Sequence, residues 1–285
     1  MFRRQTTGSV VCTSCGYLVG VKDERCYNCG RRNPGLWGFA PALRTLGHDL
    51  GFVPFVTGFC LVVWVLTLAW SRDQIGFSFP FNFLAPTGQA LAIFGASGAM
   101  PVFGYGRWWT VLSAAWLHAG VLHIFFNLYW IRQLAPAVGE LYGPGRMVIV
   151  YIAGAILGFT ASSLAGRYLA FLPFLQGASL TVGASAPIFG LLGALVCYGR
   201  RTGSSVVHGQ AVSLALIMFV FGLVMPGVDN YAHGGGFVGG YLAAQLLDPL
   251  KAERVDHLLI AVILLAVSVL SVILSVIDAF VPIFR

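Results

Sequence analysis

Apolar residues gather along this chain into long runs separated by short polar stretches. Runs at 52–70, 111–131, 147–164, 182–198, 211–225, 231–247 and 258–277 are each predicted to be helical. A helix that is apolar all round needs an apolar solvent, and about 20 residues of helix cross the hydrocarbon of a bilayer. The last run is 20 residues long and carries no charge, so it is the clearest span. Segments 182–198 and 231–247 are shorter and glycine-rich, and hydropathy alone ranks them lowest. The pattern predicts seven spans and an all-α polytopic membrane protein.

Ahead of these runs lies a polar, cysteine-bearing module at 1–35, followed by a Gly- and Pro-containing linker at 36–50. No apolar stretch of the secretory type precedes the first cysteines. Residues 51–250 form the expected membrane core, and 251–285 a C-terminal seventh helix with a tail. The loop at 71–108 is long and aromatic (FSFPFNFLAP, YGRWW), which suits the water–lipid boundary.

Composition agrees with a bilayer as solvent. Hydrophobic residues make up 58% of the chain and charged ones 9%, against about 25% in an average soluble domain. The 36 glycines favour helices packed closely in lipid. A net charge of +7 raises the question of nucleic acid, but its distribution answers it. With a cytoplasmic N-terminus, 13 Lys and Arg fall on inner segments and only Arg72, Arg107, Arg167 and Arg285 outside. That is the positive-inside pattern, and no nucleic-acid partner is implied. The reading is a cell-membrane, multi-pass protein with its C-terminus outside.

Cys12-Thr-Ser-Cys15-Gly and Cys26-Tyr-Asn-Cys29-Gly are two CxxC pairs. Four thiolates satisfy tetrahedral zinc, each pair gripping the ion from a tight turn that its glycine allows. The ten residues between the pairs suffice for a small hairpin. A cytoplasmic setting disfavours disulfides, so structural Zn2+ is expected. All four ligands are cysteine, which leaves no open position for catalysis. The partner of this module is unknown.

Polar side chains inside spans are costly and are candidates for function. The second span, WLHAGVLHIFFNLYW, carries His118, His123 and Asn127. The fourth opens with Gly183-Ala184-Ser185-Ala186, and the sixth carries His233 ahead of Gly236 and Gly240. All three spans run from outside to inside, so these groups fall at similar depth below the outer surface. Glycines at i+3 and i+7 from His233, and Gly190 and Gly193 below Ser185, would let the two helices meet at backbone contact. The bland reading is that the glycines serve packing alone and the histidines bond carbonyls.

A serine becomes nucleophilic when a base takes its proton, and neutral histidine is the usual base near pH 7. Ser185 with His233 makes an economical dyad. The Ser185 N–H and side chains of the His123 and Asn127 kind would hold an oxyanion. Asp229 is read as a helix cap rather than a third member. Gly95-Ala96-Ser97-Gly98 is a fuller serine string than that around Ser185. It lies in the outer loop, ahead of the His–Asn span, with Pro101 and Gly104 predicted to deny it a following helix.

The order His118, His123, Asn127, then Gly183 and Ser185, then Ala232, His233, Gly236 and Gly240 resembles the rhomboid intramembrane serine proteases over residues 50–250. The resemblance implies a six-helix core plus a seventh helix, with the cysteine module as an accessory. It implies Ser185 as nucleophile, His233 as general base, and His123 and Asn127 as oxyanion-stabilising groups, with His118 close by. It also implies transmembrane-helix substrates in the bilayer, cleaved near the outer surface without a catalytic cofactor. Two departures stand out. Position 186 is alanine, followed by Pro187, where the family usually has glycine. Thr110 follows Trp109 where an arginine is common. Phe189 stands where many members have tyrosine and others phenylalanine, placed to stack on His233. Ala186 and Thr110 keep open a silent member that binds membrane clients, and intramembrane histidines keep open a proton-conducting transporter.

Overall fold

The computed structural model describes residues 4–13, 15–41, 48–78, 82–171, 177–251 and 253–281. Part of the expected linker (42–47), and Arg3, Arg44 and Arg285 of the charge pattern, lie outside these residues. A small hairpin comes first, β1 (Ser9–Val11) paired antiparallel with β2 (Leu18–Gly20). Helix α1 (Phe52–Ser71) follows, its start fixed by the Asp49 carboxylate, which accepts from Val53 N at 2.7 Å. The loop then forms a second hairpin, β3 (Gly76–Ser78) with β4 (Asn82–Ala85), and a short helix α2 (Gly88–Phe94) capped by Thr87.

Next come the four-residue α3 (Thr110–Ser113), a 3₁₀ turn at Ala114–Trp116, and α4 (Val121–Tyr142). The remaining helices are α5 (Pro144–Tyr168), α6 (Ser185–Thr202), α7 (Ser205–Val224), α8 (Asn230–Leu246) and α9 (Val255–Phe280). Six of the seven predicted apolar runs coincide with a single helix over most of their length. Helices α1, α5, α7 and α9 are long and apolar enough to cross a bilayer, and the bent pair 110–116 with 121–142 brings the number to five. Helices α6 and α8 are shorter and rich in glycine; α6 is buried by its companions, and α8 buries its glycine-bearing face.

One predicted span needs correction. Residues 111–131 are not a continuous helix: the chain bends by 96° between Trp116 and Val121. His118 therefore sits in the break rather than on the helix that carries His123. The second helix then runs on past the predicted end to Tyr142, with Pro136 inside it.

Helices α5, α6 and α8 pack as a glycine-lined triplet. A Cβ on Gly240 of α8 would overlap the Gly190 backbone of α6, and one on Gly154 of α5 would stand 3.0 Å from Gly190 Cα. Burial follows the same geometry. Helix α6 is buried over nearly its whole length, whereas α7 and α9 expose rows such as Ile217, Val220 and Leu259, Val262. Exposed apolar rows with satisfied helical backbones are what lipid demands.

Candidate active site

Helix α6 begins at Ser185 because the preceding turn is held from outside. Gly183 has φ +129°, a conformation that favours glycine, and its N–H donates to the Ala114 carbonyl at 2.9 Å. A β-bridge between Ser97 and Thr181 secures the strand-like approach to that turn. Ser185 then occupies the first helical position, where backbone N–H groups lack intrahelical partners and aim at whatever lies above. Pro187 falls within the same first turn and costs no helical hydrogen bond.

His233 is carried by the first turn of α8. Asp229 caps that helix, its Oδ1 accepting from Ala232 N at 3.0 Å and its Oδ2 from the Ser162 hydroxyl. The carboxylate is thus committed to positioning the helix, as its sequence position suggested. The His233 ring stacks on Phe189, one turn below Ser185, with centroids 4.3 Å apart and planes 17° from parallel. That stacking fixes the imidazole plane. No hydrogen bond joins Ser185 to His233 among the described residues, and His233 Nδ1 is buried without a protein partner. Catalytic hydrogen bonds in substrate-free sites are often long and tighten only in the complex.

Opposite them, α4 contributes His123 and Asn127. The Ala119 N–H donates to His123 Nδ1 at 3.2 Å, so in the neutral ring the proton resides on Nε2. Nε2 faces the 183–185 turn so closely that a Cβ on Gly183 would stand 2.5 Å from it. Asn127 donates from Nδ2 to the His123 carbonyl at 2.8 Å. His123 therefore presents its Nε2–H to the turn that bears Ser185, while Asn127, one turn further along α4, lines the same cavity.

Ser185, His233, His123 and Asn127 all line one cavity of about 1480 Å³, bounded by α4 on one side and α7 on the other. His118 does not line it. It is buried behind, edge-on to His123 with ring centroids 5.2 Å apart. Gly183, Phe189, Gly236 and Gly240 lie in the supporting layer. A Cβ on Gly236 would collide with the Ala186 carbonyl, so this glycine too is required for helix approach.

A family model for the rhomboid domain matches residues 105–250, just over half of the chain. The chain belongs to the rhomboid family. Among similar proteins are the Rhomboid protease GluP of Bacillus subtilis (strain 168), 33% identical over 64% of this chain and 34% of that protein, and RHOMBOID-like protein 7 of Arabidopsis thaliana, 30% identical over 58% and 50%. Rhomboid-like protease 1 of Toxoplasma gondii is 29% identical over 57% and 55%. The chain spans only a third to just over half of the length of these relatives.

The departures from the usual rhomboid strings now have locations. Ala186 is fully buried, and its methyl points away from the cavity toward α5, where Gly158 leaves room for it. It fills a small apolar cluster with Ala155, Phe159 and Ala232. Thr110 donates to the Arg107 carbonyl at 2.7 Å, and Arg107, three residues earlier, supplies a buried guanidinium. Ser97 lies in the loop ahead of the His–Asn segment, as expected, but a five-residue helical turn (Met100–Gly104) does follow it. It is fully buried, with its hydroxyl 3.4 Å from Thr110 Oγ1 and 3.5 Å from Ser163 Oγ. Its bridge to Thr181 makes it a brace for the Ser185 turn.

The cysteine module is a separate cluster. All four Sγ atoms lie within 4.8 Å of one another, with Cys12–Cys29 at 3.8 Å and Cys15–Cys26 at 3.6 Å. Ligands about 2.3 Å from a tetrahedral ion stand about 3.8 Å apart, so the spacing is compatible with zinc. The predicted hairpin is placed differently: β1 and β2 flank the first CxxC turn rather than filling the gap between pairs, and an Arg25–Arg32 bridge flanks the second. Gly16 N–H and Gly30 N–H bond back to the Cys12 and Cys26 carbonyls, both glycines at positive φ. Burial pushes the Cys29 thiol up to about 12. Cys15, despite burial acting the other way, is brought down to about 6 by hydrogen bonds from the Tyr17 backbone and neighbouring side chains. The module touches the connection between α8 and α9 through Arg31, which donates to the Glu253 carbonyl at 3.3 Å.

Proposed function

We propose that this rhomboid protein is an intramembrane serine endopeptidase that cleaves transmembrane-helix substrates near the outer membrane surface. The observation that carries the reading is that Ser185, His233, His123 and Asn127, from three helices, line one cavity. His233 takes the Ser185 hydroxyl proton as Oγ attacks the scissile carbonyl. The Ser185 N–H, His123 Nε2–H and Asn127 amide stabilise the oxyanion. His233 then protonates the departing amine, and water releases the acyl group by the same route in reverse. The proposed orientation keeps the N-terminus cytoplasmic and the C-terminus outside, with six core spans and α9 as the seventh. The domain limits at 35, 50 and 250 belong to the same proposal.

The test is cleavage of a single-span substrate in proteoliposomes by wild type, Ser185→Ala and Ser97→Ala. Loss in Ser185→Ala with retention in Ser97→Ala supports the assignment. Undiminished cleavage by Ser185→Ala overturns it. If no version cleaves or reacts with a fluorophosphonate, the silent, client-binding reading suggested by Ala186 and Thr110 takes its place. His123→Ala is expected to lower kcat by about 10²- to 10³-fold with a smaller effect on KM, as loss of an oxyanion donor does. Equal kcat in the two proteins would remove His123 from that role.

We further propose that Cys12, Cys15, Cys26 and Cys29 hold one structural Zn2+, with no metal used in catalysis. Purified protein is expected to carry one zinc per chain. Cys12→Ser should abolish that stoichiometry and expose residues 9–34 to protease, because metal-binding energy is folding energy in so small a module. A metal-free protein with a protease-resistant module would contradict this.

A further inference from the structure

Helix α9 lies outside the matched rhomboid domain, yet its buried face is polar. Ser268, Ser271, Ser275 and Asp278 follow one another at three- and four-residue spacing, all buried, while the opposite face is aliphatic. Such groups are costly in a span unless partnered, and three of them reach the same segment of chain. Asp278 Oδ2 accepts from Arg107 Nε at 2.7 Å in a buried ion pair. Ser275 Oγ accepts from Trp109 Nε1 at 3.0 Å, and Ser268 Oγ from Trp116 Nε1 at 2.7 Å.

That segment, 107–120, is also what sets the site. Its Ala114 carbonyl holds the Gly183 N–H, two residues before Ser185, and its Ala119 N–H fixes the His123 ring. Each contact is a single directional bond to a backbone that is broken between 116 and 121, so nothing in a continuous helix keeps these groups in register. We propose that α9 is a positioning element for the oxyanion side of the site. It acts through Arg107–Asp278, Trp109–Ser275 and Trp116–Ser268 on the segment that orients Gly183 and His123. The catalytic part of this inference rests on the proteolytic reading above.

The test uses the full chain in proteoliposomes, with Asp278→Asn, Asp278→Glu and Trp116→Phe, the last removing the N–H donor while keeping an aromatic ring. Asp278→Asn and Trp116→Phe are expected to lower kcat per folded molecule by about 10-fold or more with KM nearly unchanged, because small misplacements of reacting groups cost rate rather than binding. Asp278→Glu, which keeps the carboxylate, should recover most of the loss. Hydrogen exchange supplies a readout independent of catalysis. In Asp278→Asn the Gly183 amide and residues 117–120 should lose protection, while the lower turns of α6 keep theirs. Unchanged protection of Gly183 overturns the proposal whatever the cleavage rate, as does unchanged kcat in an active protein. If wild type shows no Ser185-dependent cleavage, the proteolytic reading fails, and the exchange experiment still decides whether α9 positions the segment.

Discussion

Ser185→Ala is expected to reduce kcat/KM for a single-span substrate by at least about 10⁴-fold, to the level of empty vesicles. Without Oγ there is no covalent path, and loss of a serine nucleophile elsewhere costs about 10⁶ in kcat. His233→Ala should fall nearly as far, because the serine hydroxyl is a weak nucleophile until its proton is taken. The double variant should be no worse than either single one, since the pair acts as a unit. No carboxylate backs His233 among the described hydrogen bonds; Asp229, the nearest acidic residue in its helix, spends both oxygens on Ala232 N–H and Ser162. Asp229→Asn should accordingly cost far less than His233→Ala. Cleavage by Ser185→Ala at more than a hundredth of the wild-type rate would exclude this serine as the nucleophile.

Gly240→Ala is the second change with a large expected effect, and it acts far from the chemistry. The added methyl would overlap the Gly190 carbonyl and Cα, which are backbone and have no rotamer to retreat into. Overpacking typically costs about 1–3 kcal/mol, and this site belongs at the upper end because only a shift of a whole helix relieves it. Moving α8 away from α6 also moves His233 from Ser185, so molecules that fold should still cleave poorly. Gly209→Ala in α7 is the matched control. A Cβ there meets nothing within 4 Å, and alanine is favoured over glycine in a helix by about 1 kcal/mol. Thermal unfolding in detergent should show a lowered midpoint for Gly240→Ala and an unchanged or raised one for Gly209→Ala. Equal midpoints, with equal cleavage, would mean that the helices do not touch as closely as described.

Much of the site was readable from residues because membranes limit the choices. A histidine and a serine that open two glycine-bearing runs had few places to go other than toward one another. The cysteine pairs announced their geometry by spacing alone. Three features escaped the pattern. The break at 117–120 leaves hydropathy untouched, since LHAG is as compatible with a helix as with a turn, and only packing against α9 and the Gly183 turn selects the bend. Ser97 carries the better local string in the loop ahead of the His–Asn segment, and nothing in that string signals its bridge to Thr181 or its complete burial. Nothing in the sequence pairs Arg107 with Asp278, whose ion pair joins positions 171 residues apart.

What the sequence determined by itself was the class of solvent, the approximate extent of most of the long helices and a short list of candidate polar groups within them. Each of these is set by interactions within one run or by the cost of a polar group in lipid. The tertiary structure alone decided which serine lines a cavity with His123, where Ala186 sends its methyl, and what α9 holds. Those outcomes depend on contacts between segments far apart in the chain, whose geometry is fixed by where glycines let backbones meet and by where buried polar groups such as Arg107 and Trp109 find partners.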